Sequence, residues 1–399
     1  MHVSLDSALG RQRRLNSVGE SVLQIAPNAA AAYSLRSLTG GDPTVVRVRR
    51  SSNNAEQDFT SSEVSSGALT SFVNEIQTLG TVTNSVGNDG FTLTNKSSTG
   101  FTATTDTATG VCGWPYTAKA GDKITVSFDA VIRSGTPQFI PRKATALSGS
   151  NLVDVVSDSA ISVNSTASYS FEFTYDSDEA GSLTFSEGDD NADFDISNFQ
   201  VTAFKGAGFV ETWYDQSGNG KDAVQETAGS QPKIVNSGTL LNELDFDGTN
   251  DTFSINFGAD LSQASSIFMV HQSDTTTATS NEFFDSSSGA NPRTLLDQSG
   301  TDYRMFSTGA SVGTGVAITT DKSLIFALYN GTSSLFAKNG TPTSALNAGT
   351  TDINQNSVLG SSGARFYDGS MQEVIIYNSD QSSNRVALET NINSHYSIF

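Results

Sequence analysis

The 399-residue sequence contains one cysteine (Cys112), three histidines and eight prolines, and only 16% of its residues are charged. A single cysteine excludes an intrachain disulfide, and one cysteine with three histidines excludes a structural zinc cluster. Acid–base catalysis by histidine is also poorly supported, because the sequence has only three histidines. No apolar run approaches the roughly 18 residues of a membrane span, and no signal peptide is recognisable at the start. We therefore expect a protein made and folded in a cytoplasm.

Positive charge is scarce and unevenly placed. The net charge is −20, yet residues 1–50 contain seven arginines against three acids. The acidic remainder repels phosphate backbones, so we expect no nucleic-acid partner. The basic start predicts a docking arm in which Arg11, Arg13 and Arg14 anchor the chain to another acidic protein. The alternative is that these arginines pair locally with the acidic body.

Aromatic residues are plentiful, with 24 Phe, 10 Tyr and 2 Trp spread along the chain between short polar turns. Apolar residues at helical spacing predict one helix over residues 5–25. Residues 80–205 instead show many short segments with one-sided alternation, which is typical of a β-sandwich. The alternation changes phase at Ser197 and Asn198, and this slip predicts a β-bulge.

Residues 206–379 also have an all-β pattern. The continuous apolar runs at 267–270 and 324–328 predict central strands that are buried on both faces. Residues 381–394 predict a C-terminal helix capped by Ser382 or Ser383. The inward-facing residues of that helix are expected to be Val386, Leu388 and Ile392.

Three segments carry a family resemblance: residues 32–36 with 46–52, the string Thr-Trp-Tyr-Asp-Gln-Ser-Gly-Asn-Gly at 212–220, and residues 358–360 with 366–377. Together they resemble the concanavalin A-like or laminin G-like β-sandwich, in the branch that includes the catalytic domain of arabinofuranosidase B. The whole set is also similar to structural proteins of tailed bacteriophages. The resemblance covers residues 1–66 and 206–399.

The resemblance implies an all-β fold in which one sandwich interrupts another. Residues 1–27 would form a short helical anchoring arm. Residues 28–66 and 206–399 would form the concanavalin A-like sandwich. Residues 67–205 would be an inserted jelly roll that looks like a carbohydrate-binding module, and insertion at a surface loop costs little when its ends lie close together.

The resemblance also implies a function. We expect a non-enzymatic protein of the virion surface, assembled in the host cytoplasm, that serves as a tail fibre or adhesin or as a head fibre or decoration protein. Its partners would be other virion proteins, through the arm, and a host-surface glycan. A homo-oligomer is the default for such appendages, and we expect a trimer.

Two other classes of function stay open. A purely architectural capsid or tail component would bind no ligand. A glycosidase or depolymerase needs two carboxylates across the scissile bond. Asp297 and Glu282 are the candidates, but the loop at 361–365, where arabinofuranosidase relatives carry an acid, has none.

Three groups of residues are candidate sites. Trp114, Tyr116 and Phe139 adjoin glycine or proline in expected loops and would stack on sugar rings, unless they pack in the core. No cofactor is expected apart from calcium, which binds six to eight oxygens. Its candidate ligands are Asp189, Asp190, Asn191, Asp193 and Asp195. The string at 213–220 is expected to be structural, with Asp215 binding backbone amides and the glycines adopting positive φ.

Overall fold

The structure is a computed structural model. It describes residues 19–74, 79–84, 91–105, 110–118, 123–142, 161–174, 179–187, 192–203, 206–277, 281–287, 291–308 and 310–399. The chain forms two compact units. Unit 1 comprises Met1–Thr70 and Ala207–Phe399, and unit 2 comprises Ser71–Gly206.

The helices and the strands up to β13 are as follows. Within the described residues the α-helices are α1 (Val22–Ile25), α2 (Ser61–Ser66), α3 (Ala68–Asn74) and α4 (Arg385–Tyr396). The first strands of unit 1 are β1 (Ala31–Ser34), β2 (Thr44–Arg50) and β3 (Glu56–Thr60). The strands of unit 2 are β4 (Thr83–Asn84), β5 (Phe91–Thr94), β6 (Phe101–Thr105), β7 (Gly110–Ala118), β8 (Lys123–Ser134), β9 (Gln138–Arg142), β10 (Ile161–Ser162), β11 (Ala167–Thr174), β12 (Glu179–Glu187) and β13 (Asp193–Ala203).

The remaining strands of unit 1 follow the insertion. They are β14 (Gly208–Trp213), β15 (Ala223–Val224), β16 (Lys233–Asn236), β17 (Thr239–Asp247), β18 (Phe253–Asn256), β19 (Ser265–Ser273), β20 (Glu282–Asp285), β21 (Thr294–Ser299), β22 (Asp302–Ser307), β23 (Ala310–Ala317), β24 (Ser323–Tyr329), β25 (Leu335–Lys338), β26 (Thr341–Pro342), β27 (Asn356–Leu359), β28 (Ser361–Ser362), β29 (Arg365–Phe366) and β30 (Asp368–Tyr377). Short 3₁₀ turns lie at Ala228–Ser230 and Gly331–Ser333.

Unit 1 is built around the three apolar strands β30, β19 and β24. Strand β30 pairs with β19 along its length and with β1 and β17 on its other side, and β19 pairs with β24. The central parts of all three strands are buried on both faces, as the continuous apolar runs predict. A second layer runs from β3 through β2 and β14 to β15 and β18, and then through β27, β20, β21 and β22 to β23.

Aromatic side chains join the two layers of unit 1. Tyr33 on β1 lies 5.6 Å from Trp213 on β14, and His271 on β19 lies 4.6 Å from Phe283 on β20, measured between ring centroids. Tyr303 on β22 lies 5.0 Å from Phe336 on β25. The expected β-sandwich of unit 1 is therefore formed by two layers with a shared aromatic core.

Helix α4 covers the outer face of the β19–β24–β30 layer, because Leu388 and Ile392 are fully buried against Phe268 and Tyr377. It begins after Asn384 rather than after Ser382 or Ser383. The expectation for Val386 is wrong, since 63% of its surface is exposed. A helix buries one stripe of residues four apart, and the stripe at 388 and 392 leaves residue 386 outside it.

Unit 2 is a sandwich of two five-stranded sheets, ordered β10-β9-β12-β7-β4 and β11-β8-β13-β6-β5. Phe128 and Phe199 from one sheet pack on Phe185 and Trp114 from the other. The register of β13 against β8 shifts between Ser197 and Gln200, and Asn198 adopts a φ of 53°. The predicted β-bulge is confirmed at this point.

The expected N-terminal helix is described only in part. Within the described residues it is the four-residue helix α1, preceded by Ser21, whose side chain forms a capping box with Gln24. Residues 1–18, which include Arg11, Arg13 and Arg14, lie outside the described residues. None of the described helices is both long and apolar enough to cross a membrane.

The core of unit 2 gives a test of its independence from unit 1. We expect Trp114→Ala to destabilise unit 2 by about 3–5 kcal/mol, since it removes a fully buried ring stacked on Phe199. Val131→Ala, on an exposed side chain of the same unit, is the control and is expected to change stability by less than about 0.5 kcal/mol. Calorimetry should show a lower midpoint for the unfolding transition of unit 2 and an unchanged midpoint for that of unit 1. An equal shift of both transitions would contradict two separate cores.

Candidate functional site

The residues predicted to stack on sugar rings lie inside unit 2. Trp114 and Tyr116 are in β7 and Phe139 is in β9, and their exposed fractions are 0%, 7% and 0%. The expectation of loop aromatics is therefore wrong. Gly113, which suggested a loop, instead marks a close strand contact, because a Cβ there would lie 2.2 Å from the Leu183 carbonyl oxygen.

The predicted calcium ligands are described only in part, because Asp189, Asp190 and Asn191 lie outside the described residues. Asp193 and Asp195 both bind Arg133, at 2.6 and 2.7 Å. The hydrogen bonds from Arg133 hold the pKa of Asp195 below its usual value. Within the described part of the chain, no three His, Cys, Asp or Glu side chains are placed to hold a metal ion. Calcium binding stays a prediction.

The carboxylate pair suggested for catalysis comes together in unit 1. Glu282 on β20 lies directly opposite Asp297 on β21, and both side chains have no exposed surface. Arg304 on β22 donates from Nε to Asp297 Oδ1 at 2.7 Å and also binds the second carboxylate oxygen. Arg365 donates from Nη1 to Glu282 Oε1 at 3.3 Å. The sequence thus identified the acids but not their two arginines.

Burial determines the charge of this pair. It raises the pKa of Glu282 to about 8, and the negative charge of Asp297 adds to the effect. Burial also raises the pKa of Asp297, while the Arg304 guanidinium opposes the rise. Two neighbouring buried carboxyl groups do not both ionise readily, because like charges repel. Glu282 therefore keeps its proton near neutral pH, and Arg304 neutralises the charge of Asp297.

This geometry differs from that of a glycoside hydrolase. There the two carboxyl groups stand about 5 Å or more apart, with the substrate or a water between them. Glu282 and Asp297 lie directly opposite each other on paired strands, and both side chains lack any exposed surface. The short loop after β27 places Arg365 beside Glu282, and Arg293 ties the same loop to Asp285 through Ser362. The pair is arranged as part of a closed ion network.

A cleft of about 630 Å³ lies elsewhere on unit 1, and we call it the serine cleft. Its volume is in the range of small-molecule sites. The segment after strand β1, helix α2, strand β17, the residue before strand β24 and helix α4 bring its walls together from five separate parts of the chain. Its polar lining includes Arg36, Ser37, Asp42, Ser61, Ser62, Ser65, Asn242, Lys322, His395 and Tyr396.

Hydrogen bonds fix one wall of the serine cleft. Asp42 accepts bonds from the hydroxyl groups of Ser61 and Ser62 and from the Ser62 amide, at 2.7–2.9 Å. The Ser62 bonds, followed by that from Ser61, lower the pKa of Asp42 to about 2. The serine oxygens keep free lone pairs and can still accept hydrogen bonds.

Cations in the opposite wall each have an acidic neighbour. Arg36 binds Glu373 through two nitrogens, at 2.7 and 3.0 Å, and Lys322 Nζ lies 3.9 Å from Glu243 Oε2. Both cations lie within 6 Å of the centre of the Tyr396 ring. The wall therefore offers directional donors without a large excess of positive charge.

Sequence reasoning missed the serine cleft because its residues are scattered between positions 35 and 396 and form no local motif. One signal was present. Asn242 lies within the strand segment 239–247 and adopts a φ of 60°, which asparagine tolerates better than most residues. An asparagine that interrupts an apolar strand pattern can mark a position with a positive φ.

The string at 213–220 is structural, as predicted. Trp213 is fully buried, whereas Tyr214 is only partly buried and donates its hydroxyl to Asp58. The Asp215 carboxylate accepts hydrogen bonds from the amides of Ala32, Ser217 and Lys221 and from the Ser217 hydroxyl. Gly218 and Gly220 have φ of 88° and 62°. The string forms a loop between β14 and β15 that is fixed to β1 by the hydrogen bond from Ala32 to Asp215.

Comparisons with known proteins were made by sequence and by structure. No family model and no curated protein matches the chain. Among solved structures, Trypanosoma rangeli sialidase in complex with the inhibitor DANA has 12% identity and a TM-score of 0.34, over 56% of this chain and 42% of the sialidase chain. This chain therefore aligns with less than half of that sialidase.

Two smaller domains give similar results. The CBM40 of Ruminococcus gnavus IT-sialidase, bound to α2,3-sialyllactose, has 9% identity and a TM-score of 0.28 over 36% of this chain and 94% of its own. Domains LG4-5 of the mouse laminin α1 chain have 7% identity and a TM-score of 0.28 over 68% and 86%. At these scores the comparisons identify no site, and the all-β sandwich class rests on the sheets described above.

The raised pKa of Glu282 predicts a pH-dependent stability. Because the folded pKa of Glu282 is raised from 4.5 to about 8, its ionisation destabilises the folded state as the pH rises through this range. Glu282→Gln, which mimics the protonated acid, should therefore be more stable than wild type at pH 9. The gain is on the order of 1.4 kcal/mol per unit by which the pKa is raised.

Chemical denaturation between pH 5 and pH 9 measures this effect. Asp297→Asn is the comparison variant, because it leaves Arg304 without its carboxylate and should be less stable at every pH. Parallel pH profiles for wild type and Glu282→Gln would show that Glu282 does not hold the proton.

Proposed function

We propose that this chain is a non-enzymatic protein that binds a saccharide in the serine cleft of unit 1. The observation that carries the proposal is the lining of the cleft by hydroxyl, amide and guanidinium groups held in fixed positions. Sugars present many hydroxyl groups that both donate and accept hydrogen bonds, and such side chains match them. The paired charges in the walls favour a neutral sugar over a strongly anionic one.

The closed carboxylate network supports a binding role over hydrolysis. Glu282 and Asp297 would have to separate and lose their arginines before a glycosidic bond could lie between them. Breaking a buried ion pair of this kind typically costs several kcal/mol. The serine cleft, by contrast, is open without any rearrangement and contains no pair of unengaged carboxylates among its described lining residues.

Two side chains of the cleft can be removed without disturbing the fold. Asn242→Gly keeps the positive φ while deleting the amide, and Lys322→Gln removes the charge of a side chain one-third exposed. We expect the double variant to bind its saccharide at least about tenfold more weakly, because two hydrogen bonds to the ligand are lost. Its melting temperature should stay close to that of wild type.

A glycan array of neutral and acidic oligosaccharides, followed by calorimetric titration of the strongest binder, measures this loss. The matched control is Asn95→Gly with Lys96→Gln, which makes the same two changes on the surface of unit 2, again at an asparagine with positive φ. Absence of any array signal for wild type, or full binding by the cleft variant, would refute the proposal.

The site of display is a separate proposal, supported by the resemblance of the sequence to structural proteins of tailed phages. We propose that the chain is carried on a virion surface, as a tail fibre or adhesin or as a head fibre or decoration protein, through residues 1–27. A trimeric assembly belongs to the same proposal. Mass spectrometry and cryo-EM of purified particles test it. A chain absent from particles would refute display and leave saccharide binding standing.

A further inference from the structure

A second cleft of unit 1, about 510 Å³ in volume, lies beside the rigid loop at 215–221. Its polar lining is formed by Asn28, Ser217, Asn219, Lys221 and Asn378, and we call it the asparagine cleft. Phe257 and Leu261 supply an apolar part of the lining and are largely buried. Neither the proposed function nor the closed ion network uses any of these residues.

Charge distinguishes the asparagine cleft from the rest of this acidic protein. None of its described lining residues is acidic. The nearby Asp215 has both carboxylate oxygens occupied by Ser217 and by backbone amides. Among the described residues, Lys221 forms no ion pair with a carboxylate. On a chain of net charge −20, Lys221 thus lines a cleft without acidic lining residues.

Internal hydrogen bonds hold the loop around Lys221 in place. The Asn219 side-chain amide donates to the carbonyl oxygens of Ala29 and Ala30 at 2.8 and 3.3 Å, which fixes its orientation. The Asp215 carboxylate accepts hydrogen bonds from the backbone amides of Ser217 and Lys221, which lie on either side of Asn219 in the sequence. A fixed loop loses little conformational entropy when a ligand binds, so even weak polar contacts contribute to affinity.

We propose that the asparagine cleft binds the anionic group of an acidic sugar, either a carboxylate or a sulfate ester. Lys221 would pair with the anion, and the asparagine and serine side chains would hydrogen-bond the neighbouring hydroxyl groups. This second site is independent of the serine cleft, which favours a neutral ligand.

Saturation-transfer NMR on the full chain tests the proposal with three small probes: glucuronate, glucose 6-sulfate and glucose. We expect both acidic probes to bind more tightly than glucose, and binding to weaken as salt is raised. Preference for glucuronate alone would assign a carboxylate site, and preference for the sulfate ester alone would assign a sulfate site. No preference for either acidic probe over glucose would overturn the proposal.

Three lysine variants then locate the binding. Lys221→Gln should weaken acidic-probe binding by about tenfold and leave glucose unchanged. Lys322→Gln in the serine cleft and Lys96→Gln on unit 2 should leave the acidic preference intact. If Lys221→Gln has a wild-type melting temperature and still binds the acidic probes more tightly than glucose, the asparagine cleft is not the site that binds them. Loss of array binding in the serine-cleft variant, with the acidic preference retained, would separate the two sites.

Discussion

The ion pair between Arg36 and Glu373 joins the parts of unit 1 that are most distant in sequence. Glu373 lies in the central strand β30 with 1% of its side chain exposed, and it accepts two hydrogen bonds from Arg36 and one from Ser34. Tyr396 of α4 donates to the same carboxylate. A buried carboxylate is tolerated only with such complete partners. The segment around β1, the central sheet and the C-terminal helix therefore depend on one another, and the serine cleft lies where they meet.

Much of the fold could be predicted from the sequence, because periodicity records which faces are buried. The continuous runs at 267–270 and 324–328 form strands covered on both faces, and the phase slip at Ser197 is a bulge. The prediction for Val386 failed because a hydrophobic residue in a short helix does not by itself fix the buried stripe. Glycine and proline near Trp114 were misleading for a related reason, since close strand packing and loops both favour glycine.

The candidate site could be predicted only in fragments. The role of Asp215 followed from local turn chemistry, because its partners are almost all near in sequence. Glu282 and Asp297 were recognised as acids, but a carboxyl group that keeps its proton and one that attacks a sugar look the same in sequence. Arg36, Lys322 and Tyr396 have no shared pattern at all. Their meeting depends on sheet order and on the position of α4, which a single sequence does not record.

The insertion also has a consequence for the order in which the protein is synthesised. Strand β1 leaves the ribosome early, but Ile376, which faces its Ala31, is made near the end. At roughly 5–20 residues per second, the partner strand follows after tens of seconds. Until β30 is synthesised, strands β1 to β3 have edges without partner strands. Unit 2 is completed during the same interval. A chaperone would have its main opportunity to bind the nascent chain in this window.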